Sequence, residues 1–183
     1  AIKLIHVLPK GAFTAKTDIA NAFRLIPVNP QDYHKLGMKY KGKYYYDRCL
    51  PMGCASSCQI YETFSTALQA IIQNLDTEIH CVHMIDDFFF ISEDKNTCGR
   101  HLKLFLALCK DMGIPISKEK TTAPAQNTSF LGIELDTIKH QAKLPLDKLV
   151  EYRTTIEQTL QRTKIRRDNL ESLIGKLNFA ASV

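Results

Sequence analysis

Long apolar runs are missing from this chain, and so are repeats and low-complexity tracts. No segment approaches the roughly 20 apolar residues that a membrane-spanning helix needs. The N-terminal residues also lack the basic, apolar and small-residue sections of a secretory signal. The 183 residues are 45% hydrophobic, which suffices for one sizeable core or two small ones. We therefore expect an intracellular globular protein without a membrane segment.

Paired cysteines are also missing. The six cysteines form no CxxC pair, and no His or Cys pair completes a tetrahedral site, which argues against a zinc finger and against a disulfide framework. Buried, reduced thiols are the favoured interpretation. The cysteines are Cys49, Cys54, Cys58, Cys81, Cys98 and Cys109.

Charge of one sign is not strongly in excess, since the net charge is +5. The distribution is less even than the total, because basic residues are frequent after residue 138. A solvated helix face and a nucleic-acid groove both fit this pattern. The basic residues are Lys139, Lys143, Lys148, Arg153, Arg162, Lys164, Arg166, Arg167 and Lys176.

The most informative stretch is residues 80–91, where Asp86 and Asp87 lie between two apolar, strand-like segments. The pattern predicts a tight hairpin with both carboxylates at its tip. Aspartate is common in turns, so an isolated Asp-Asp pair most often means only a turn. Other motifs in the chain are needed to choose between a simple turn and a functional site.

The remaining pattern predicts an α+β fold. Residues 12–18 alternate like a strand that ends at Asp18, and residues 35–49 suggest a hairpin. A long helix follows Gly53, and a second helix ends at Gly113. A short hairpin precedes two final helices, so we expect a mixed domain over residues 1–144 and a helical one over 145–183. The apolar stripe expected to face the core in the first helix is Ile60, Phe64, Leu68, Ile71 and Leu75. Those of the final helices are Leu149, Tyr152, Ile156 and Leu160, then Leu170, Ile174, Leu177 and Ala181.

Carboxylates on neighbouring strands are what two-metal phosphoryl transfer requires. Two divalent ions about 3.5 to 4 Å apart assist such reactions, and Mg²⁺ prefers hard carboxylate oxygens. Asp86 and Asp87 would supply two ligands and Asp18 a third. Taken alone, Asp18 is more often a strand-end or helix-capping residue. Its setting, with the aromatic Phe23 five residues later, favours the metal site.

At this point the chain resembles a reverse transcriptase palm followed by the start of the thumb. More narrowly, it resembles the DIRS-type retrotransposons, which carry a tyrosine recombinase. The matching segments follow the family's order over nearly the whole chain. They are Lys16–Phe23 (motif A), Leu50–Glu62 (motif B, with Ser-Ser-Cys at 56–58), Met84–Asp87 (motif C), Gly113–Thr121 (motif D), Phe130–Ile133 (motif E, the primer grip) and Leu173–Ala180 (leading out of the thumb).

The resemblance implies a role for each matched residue. Asp18, Asp86 and Asp87 would hold two Mg²⁺ ions, or Mn²⁺ in their place. Phe23 would be the aromatic gate that excludes a ribose 2′-hydroxyl, and Lys120, or alternatively Lys118, would protonate the leaving pyrophosphate. The other implied nucleotide-binding residues are Ala22, Met52 and Gly53, and the implied primer grip is Phe130, Leu131 and Gly132.

The implied function is RNA-directed DNA polymerase. Its partners would be a primed RNA or DNA template and deoxynucleoside triphosphates, with RNase H and recombinase domains linked in the parent polypeptide. Met84 departs from the tyrosine usual in motif C, and the family's basic fingers residues would lie upstream of Ala1, so we expect little activity from these residues alone. A decayed or domesticated nucleic-acid-binding module is the alternative. A viral RNA-dependent RNA polymerase is disfavoured by Phe23.

Overall fold

Two compact units make up the chain in the computed structural model, which describes residues 9–183. One unit is Thr14–Pro124, and the other joins the residues up to Phe13 with Ala125–Val183. The sequence placed the domain division after residue 144. The units divide earlier because the strands between residues 127 and 143 group with the C-terminal helices.

The larger unit contains six strands and two α-helices. A four-stranded sheet has the order β4-β5-β1-β6, and β2 pairs with β3 in a separate hairpin. The strands are β1 (Phe13–Asp18), β2 (Gly37–Tyr40), β3 (Lys43–Tyr46), β4 (His80–Met84), β5 (Asp87–Ser92) and β6 (Thr122–Ala125); the helices are α1 (Ser57–Leu75) and α2 (Lys95–Asp111). Short 3-10 helices span Ala22–Leu25, Pro30–Leu36 and Lys118–Lys120.

The core of this unit is built around β5. Phe88, Phe89 and Phe90 are all fully buried, which is typical of a strand covered on both faces rather than one. Phe88 and Phe90 point to the same side of the strand and contact Phe105 of α2, with ring centroids 4.6 and 5.2 Å apart. This packing fixes the strand that begins at Asp87.

Helix α1 turns a different face to the core than the sequence predicted. Its buried residues are Ser57, Tyr61, Ser65, Leu68 and Ile72. Of the predicted stripe, Leu68 is buried, whereas Ile60, Ile71 and Leu75 are 44%, 40% and 59% exposed. The predicted face was wrong because two serines and a tyrosine take core positions, and a pattern of apolar residues alone does not count them.

The smaller unit contains a three-stranded antiparallel sheet and two helices. Phe130, Ile133 and Leu135 of the sheet are buried. The elements are β7 (Asn127–Phe130), β8 (Ile133–Asp136), β9 (Gln141–Lys143), α3 (Leu146–Leu160) and α4 (Arg167–Ala181). The stripes predicted for the helices are largely wrong, because α3 has no buried residue and α4 buries only Leu173. Leu149, Leu160, Leu170, Ile174 and Leu177 are between 41% and 79% exposed.

Two surface features complete the fold. The β2–β3 hairpin turns at Lys41 and Gly42, whose φ angles of 49° and 77° suit the primed turns of two-residue hairpin loops. Cys54 and Cys58 are exposed, whereas Cys81, Cys98 and Cys109 are buried, so the expectation of buried thiols holds for part of the set. No helix in the described part of the chain is long and apolar enough to cross a membrane.

The face of α1 is tested by a pair of neighbouring isoleucines. Ile72 is fully buried and Ile71 is 40% exposed, so Ile72→Ala should lower the free energy of unfolding by about 2 to 5 kcal/mol. Ile71→Ala, the matched control, should lower it by less than about 1 kcal/mol. Urea unfolding of both variants measures this difference, and equal losses would show that the helix is turned otherwise.

Candidate metal centre and nucleotide site

The carboxylate pair lies at a hairpin turn that differs in one detail from the prediction. Met84 pairs with Asp87 in the register of β4 and β5, so the turn residues are Ile85 and Asp86, and Asp87 begins the strand. Ile85 takes a φ of 55°, a left-handed conformation that is strained for a β-branched residue. Such a conformation persists only where the surroundings hold it.

Side chains of helix α1 form hydrogen bonds with both backbone polar groups of Ile85. The backbone N–H of Ile85 donates to Glu62 Oε2 at 2.9 Å, and Ser65 Oγ donates to the carbonyl oxygen of Ile85 at 2.5 Å. The second oxygen of Glu62 lies 3.2 Å from Nε2 of His83 on β4. The orientation of Asp86 therefore depends on two side chains of the helix.

The third carboxylate is tied to the same turn through the backbone. The N–H of Ile19 donates to the carbonyl oxygen of Asp86 at 3.0 Å, so the end of β1 meets the hairpin directly after Asp18. The carbonyl of Asp18 accepts from the N–H of Ser117 at 2.9 Å. Asp18 is only 4% exposed. The structure thus brings together the strand ends that carry the three predicted ligands.

Lys120 is the lysine that reaches this site. Its Nζ lies 2.8 Å from Oδ2 of Asp18, and this bond raises the pKa of Lys120 above its ordinary value. Lys118, the alternative, instead lines a separate cavity of about 460 Å³ with Leu106 and Ile114. Of the two candidate lysines, Lys120 is therefore the one that contacts Asp18.

The carboxylates of the turn repel additional negative charge. The pKa of Asp86 is raised by burial and by the nearby Asp18. The pKa of Asp87 is raised by burial, then by Asp86 and Asp18. Lys120 and, more weakly, Lys16 offset part of this charge at Asp87, and a cation would relieve the remaining repulsion among the three carboxylates.

Divalent cations suit the donor set of Asp18, Asp86 and Asp87, since hard carboxylate oxygens are the ligands that Mg²⁺ and Mn²⁺ prefer. Their oxygens are not all within 4.8 Å of one another, and Asp18 is paired with Lys120. Binding of one ion by all three carboxylates would therefore require these side chains to move closer together.

A different cluster among residues 9–183 does bring its ligand atoms within 4.8 Å of one another. It consists of Asp76, Glu78 and His101. A guanidinium already occupies it. Nη1 of Arg100 lies 2.7 Å from Oδ2 of Asp76. Nη2 of Arg100 lies 3.5 Å from Oε2 of Glu78 and 3.3 Å from Nε2 of His101. Arg100 therefore already neutralises the acidic groups of this cluster, whereas the three aspartates keep an excess of negative charge.

Phe23 lies in the 3-10 helix that follows β1, beside the buried Ala22. Its ring is half-buried and meets the ring of Tyr61 edge to face, with centroids 5.6 Å apart. Tyr61 is fully buried, and burial together with the charge of Asp86 raises its pKa above the ordinary value. Tyr61 thus supports Phe23 from beneath and lies near the carboxylates.

Met52 and Gly53 form an open turn ahead of α1. Met52 is 83% exposed, and Gly53 has a φ of 86° with no atom within 4 Å of the position a Cβ would take. The N–H of Leu50 donates to the carbonyl of Ile26 at 3.0 Å, which joins this turn to the segment after Phe23. The turn leaves room for a ligand to approach the backbone.

The predicted primer-grip residues belong to the smaller unit. Phe130 is 3% exposed and packs in the core, whereas Leu131 and Gly132 form the β7–β8 turn with φ angles of 51° and 74°. Lys148 Nζ donates to the carbonyl of Gly132 at 3.1 Å. The φ of 74° at position 132 favours glycine, because an L side chain is strained in that conformation. Leu131 and Gly132, rather than Phe130, are accessible for contact.

Several basic residues near the C-terminus are paired with carboxylates of the two C-terminal helices. Ion pairs join Arg153 to Glu157, Arg167 to Glu171 and Lys176 to Glu151 at 2.7 to 2.8 Å. Of the two interpretations of this basic segment, the solvated helix face fits these pairs.

Three supporting residues escaped the sequence analysis: Tyr61, Glu62 and Ser65. Ser57, Tyr61 and Ser65 recur every four residues along α1, so a polar stripe at helical spacing was the available signal.

Comparison with known proteins identifies relatives of the chain. A family model described as reverse transcriptase (RNA-dependent DNA polymerase) matches residues 2–135. Protein P of Duck hepatitis B virus (strain China) is 29% identical over 181 residues, which cover 96% of this chain and 22% of the viral protein. The Gag-Pol polyprotein of Walleye dermal sarcoma virus is 26% identical, covering 96% of this chain and 10% of that protein. The chain therefore spans about a fifth or less of the length of these curated relatives.

Solved structures show the same fold. The foamy viral protease-reverse transcriptase in complex with double-stranded DNA matches with a TM-score of 0.75 and 19% identity, covering 94% of this chain and 28% of that one. The same protein with an RNA/DNA hybrid matches with a TM-score of 0.73 and 19% identity, covering 98% and 23%. These likenesses confirm the predicted fold class, a polymerase palm with an antiparallel sheet and helices.

The repulsion at the turn predicts that one carboxylate opposes folding. Because the pKa of Asp87 is raised in the folded chain, the folded state binds that proton more tightly, and stability falls as the pH rises above the unfolded pKa of about 3.9. Asp87→Asn should therefore raise Tm at pH 7 without divalent cations, and the gain should vanish near pH 3. Mg²⁺ should raise Tm of the unsubstituted chain more than that of the variant.

Thermal unfolding monitored by circular dichroism measures both effects. Glu93→Gln, an exposed carboxylate outside the turn, is the control and should show neither. A loss of stability in Asp87→Asn at pH 7 would contradict the account of the turn.

Proposed function

Because the chain belongs to the reverse transcriptase (RNA-dependent DNA polymerase) family, we propose that it is the catalytic core of an RNA-directed DNA polymerase. The observation that carries the proposal is the backbone bond from Ile19 to Asp86, which sets Asp18 beside the turn of Asp86 and Asp87. The reaction would be attack of a primer 3′-hydroxyl on the α-phosphate of a deoxynucleotide, with pyrophosphate leaving.

Three carboxylates would hold the metal ions. Bound Mg²⁺ or Mn²⁺ supplies charge neutralisation at the attacking and leaving oxygens. Asp86 is presented by the clamped Ile85 peptide, Asp87 by the first residue of β5, and Asp18 by the end of β1. The rigid strands position these ligands.

Phe23 would select the sugar. Its ring rests edge-on against the fully buried Tyr61, so it cannot retreat into the core to make room for a 2′-hydroxyl. Ala22 precedes it, and Met52 and Gly53 form the open turn that faces the same segment. These residues would bind the incoming deoxynucleotide.

Lys120 would protonate the leaving pyrophosphate. Its Nζ bonds Asp18, which raises the pKa of Lys120 further above neutral pH and holds the ammonium close to the proposed metal ligands. Its side chain remains 59% exposed, so it is accessible to a substrate phosphate.

The wider context is also proposed. Residues 1–144 would be the palm with the end of the fingers and the primer grip of Phe130, Leu131 and Gly132, and residues 145–183 would begin the thumb. The Ser-Ser-Cys of motif B supports a parent element of the DIRS type, with linked RNase H and recombinase domains. A primed RNA or DNA template and deoxynucleoside triphosphates would be its partners.

Primer extension on an RNA template tests the proposal in the polypeptide that carries this chain. Asp86→Asn should reduce extension by about a thousandfold, since it removes one of the three carboxylates that would hold the metal ions. Glu93→Gln should extend like the unsubstituted enzyme. Equal activity of Asp86→Asn and its control would reject the proposed function, as would no template-dependent extension by the unsubstituted enzyme.

Sugar selection has its own prediction. Phe23→Val should admit ribonucleotides about ten- to a hundredfold better relative to deoxynucleotides, because the ring edge is lost. Phe23→Tyr keeps the ring and should keep the discrimination. Competition between the two nucleotide classes in single-nucleotide extension measures this ratio, and an unchanged ratio in Phe23→Val would remove Phe23 from the gate.

Loss of the lysine should separate chemistry from metal binding. Lys120→Met should slow nucleotide incorporation by about a hundredfold, a typical effect of a general acid, and should abolish the fall of the rate at high pH. Mn²⁺ binding, measured by calorimetry, should be as tight or tighter because Asp18 is released from its ion pair. Weaker Mn²⁺ binding would instead make Lys120 a structural residue.

A further inference from the structure

The β2–β3 hairpin carries an unusual composition. Residues 37–46 contain three lysines and four tyrosines and no acidic residue. All eight residues of the two strands are exposed, including Tyr44 at 79% and Tyr46 at 57%. An isolated two-stranded hairpin is marginally stable in water, and so many exposed aromatic rings are typical of a binding surface.

The register sorts the side chains onto two faces. Lys39 pairs with Tyr44, and Gly37 pairs with Tyr46, so Lys39, Tyr44 and Tyr46 share one face. The ammonium of Lys39 lies 5.1 Å from the centroid of Tyr44, and Tyr46 stacks on Tyr33 at 5.0 Å. This face therefore alternates a cation with flat aromatic rings.

The charge of the hairpin is not neutralised within the chain. No carboxylate among residues 9–183 lies within ion-pair distance of Lys39, Lys41 or Lys43. The basic residues of α3 and α4, by contrast, are mostly paired. A partner for the hairpin should thus be anionic and should offer faces on which tyrosine can stack.

The base of the hairpin adjoins the proposed nucleotide site. The N–H of Val28 donates to the carbonyl of Arg48 at 2.9 Å, and that of Leu50 donates to the carbonyl of Ile26 at 3.0 Å. The hairpin therefore rises between the segment after Phe23 and the turn at Met52. A strand leaving the nucleotide site would pass close to it.

We propose that the hairpin binds single-stranded nucleic acid, with Tyr44 and Tyr46 stacking on bases and the three lysines contacting phosphates. Phosphates provide the negative charge that the lysines lack, and every base offers a stacking face. The inference deepens the proposed function and rests on it for one point, that the bound strand is the template of the polymerase.

Fluorescence anisotropy with a labelled single-stranded RNA of about 20 nucleotides tests this in the 183-residue chain, without divalent cations or nucleotides. Tyr44→Leu should weaken binding by roughly 5- to 150-fold, the range for loss of one base stack. Tyr44→Phe keeps the ring and should stay within about twofold. Asp86→Asn should bind normally, which separates this test from failure of the proposed function.

Salt dependence tests the lysines. Replacing Lys39 and Lys41 by glutamine should reduce the slope of log affinity against log salt by about 1.4, the value for two phosphate contacts on a single strand. Replacing the exposed Lys95 and Lys103 of α2 by glutamine should leave the slope unchanged.

Two outcomes would overturn the proposal. One is a Tyr44→Leu variant that binds RNA as well as Tyr44→Phe, with both lysine pairs giving the same slope. The other is a hairpin variant that binds RNA normally but sediments differently from the unsubstituted chain, since the hairpin would then be an interface between proteins.

Discussion

The backbone conformation of one residue, Ile85, is what the rest of the site depends on. Its left-handed conformation puts Asp86 at the turn and lets β5 begin at Asp87. Isoleucine does not favour that conformation by itself. The hydrogen bonds of Ile85 with Glu62 and Ser65 of α1 stabilise it. Helix α1 can do so because its core face carries Tyr61 and Ser65 instead of an unbroken apolar stripe. The same helix supports Phe23 through Tyr61, so one element contacts both the carboxylate turn and the residue proposed as the aromatic gate.

The three aspartates form a cluster whose negative charge is only partly neutralised by nearby lysines. Burial and mutual repulsion raise the pKa values of Asp86 and Asp87, while Lys120 partly compensates by bonding Asp18. A protein selected only for stability would place one carboxylate here rather than three. Hydrogen bonds from α1 stabilise the strained backbone at Ile85, and the proposed cations would relieve the repulsion among the aspartates.

The sequence predicted the hairpin, the end of β1 at Asp18 and the long helix after Gly53, because strand alternation and glycine positions are local signals. It misplaced the turn by one residue, since the choice between Ile85 and Asp87 as turn residue depends on contacts from α1. The sequence pattern also predicted the wrong buried face of that helix. Ser65 is polar, yet it is buried because its hydroxyl is satisfied by the hydrogen bond to Ile85. The sequence favoured Lys120 over Lys118 only by resemblance, and the path of the backbone after Ser117 brings Lys120 to Asp18. The exposed stripes of α3 and α4 were likewise beyond the reach of periodicity, which reports an apolar face but not what covers it.

The central claim is that Asp18, Asp86 and Asp87 together hold two divalent ions. Electron paramagnetic resonance of bound Mn²⁺ tests it most directly, with a template–primer and a non-hydrolysable deoxynucleotide present. The account predicts two spin-coupled Mn²⁺ ions within about 4 Å of each other, lost in Asp86→Asn and unaffected by Asp76→Asn. A single uncoupled Mn²⁺ ion that survives Asp86→Asn and disappears in Asp76→Asn would contradict it.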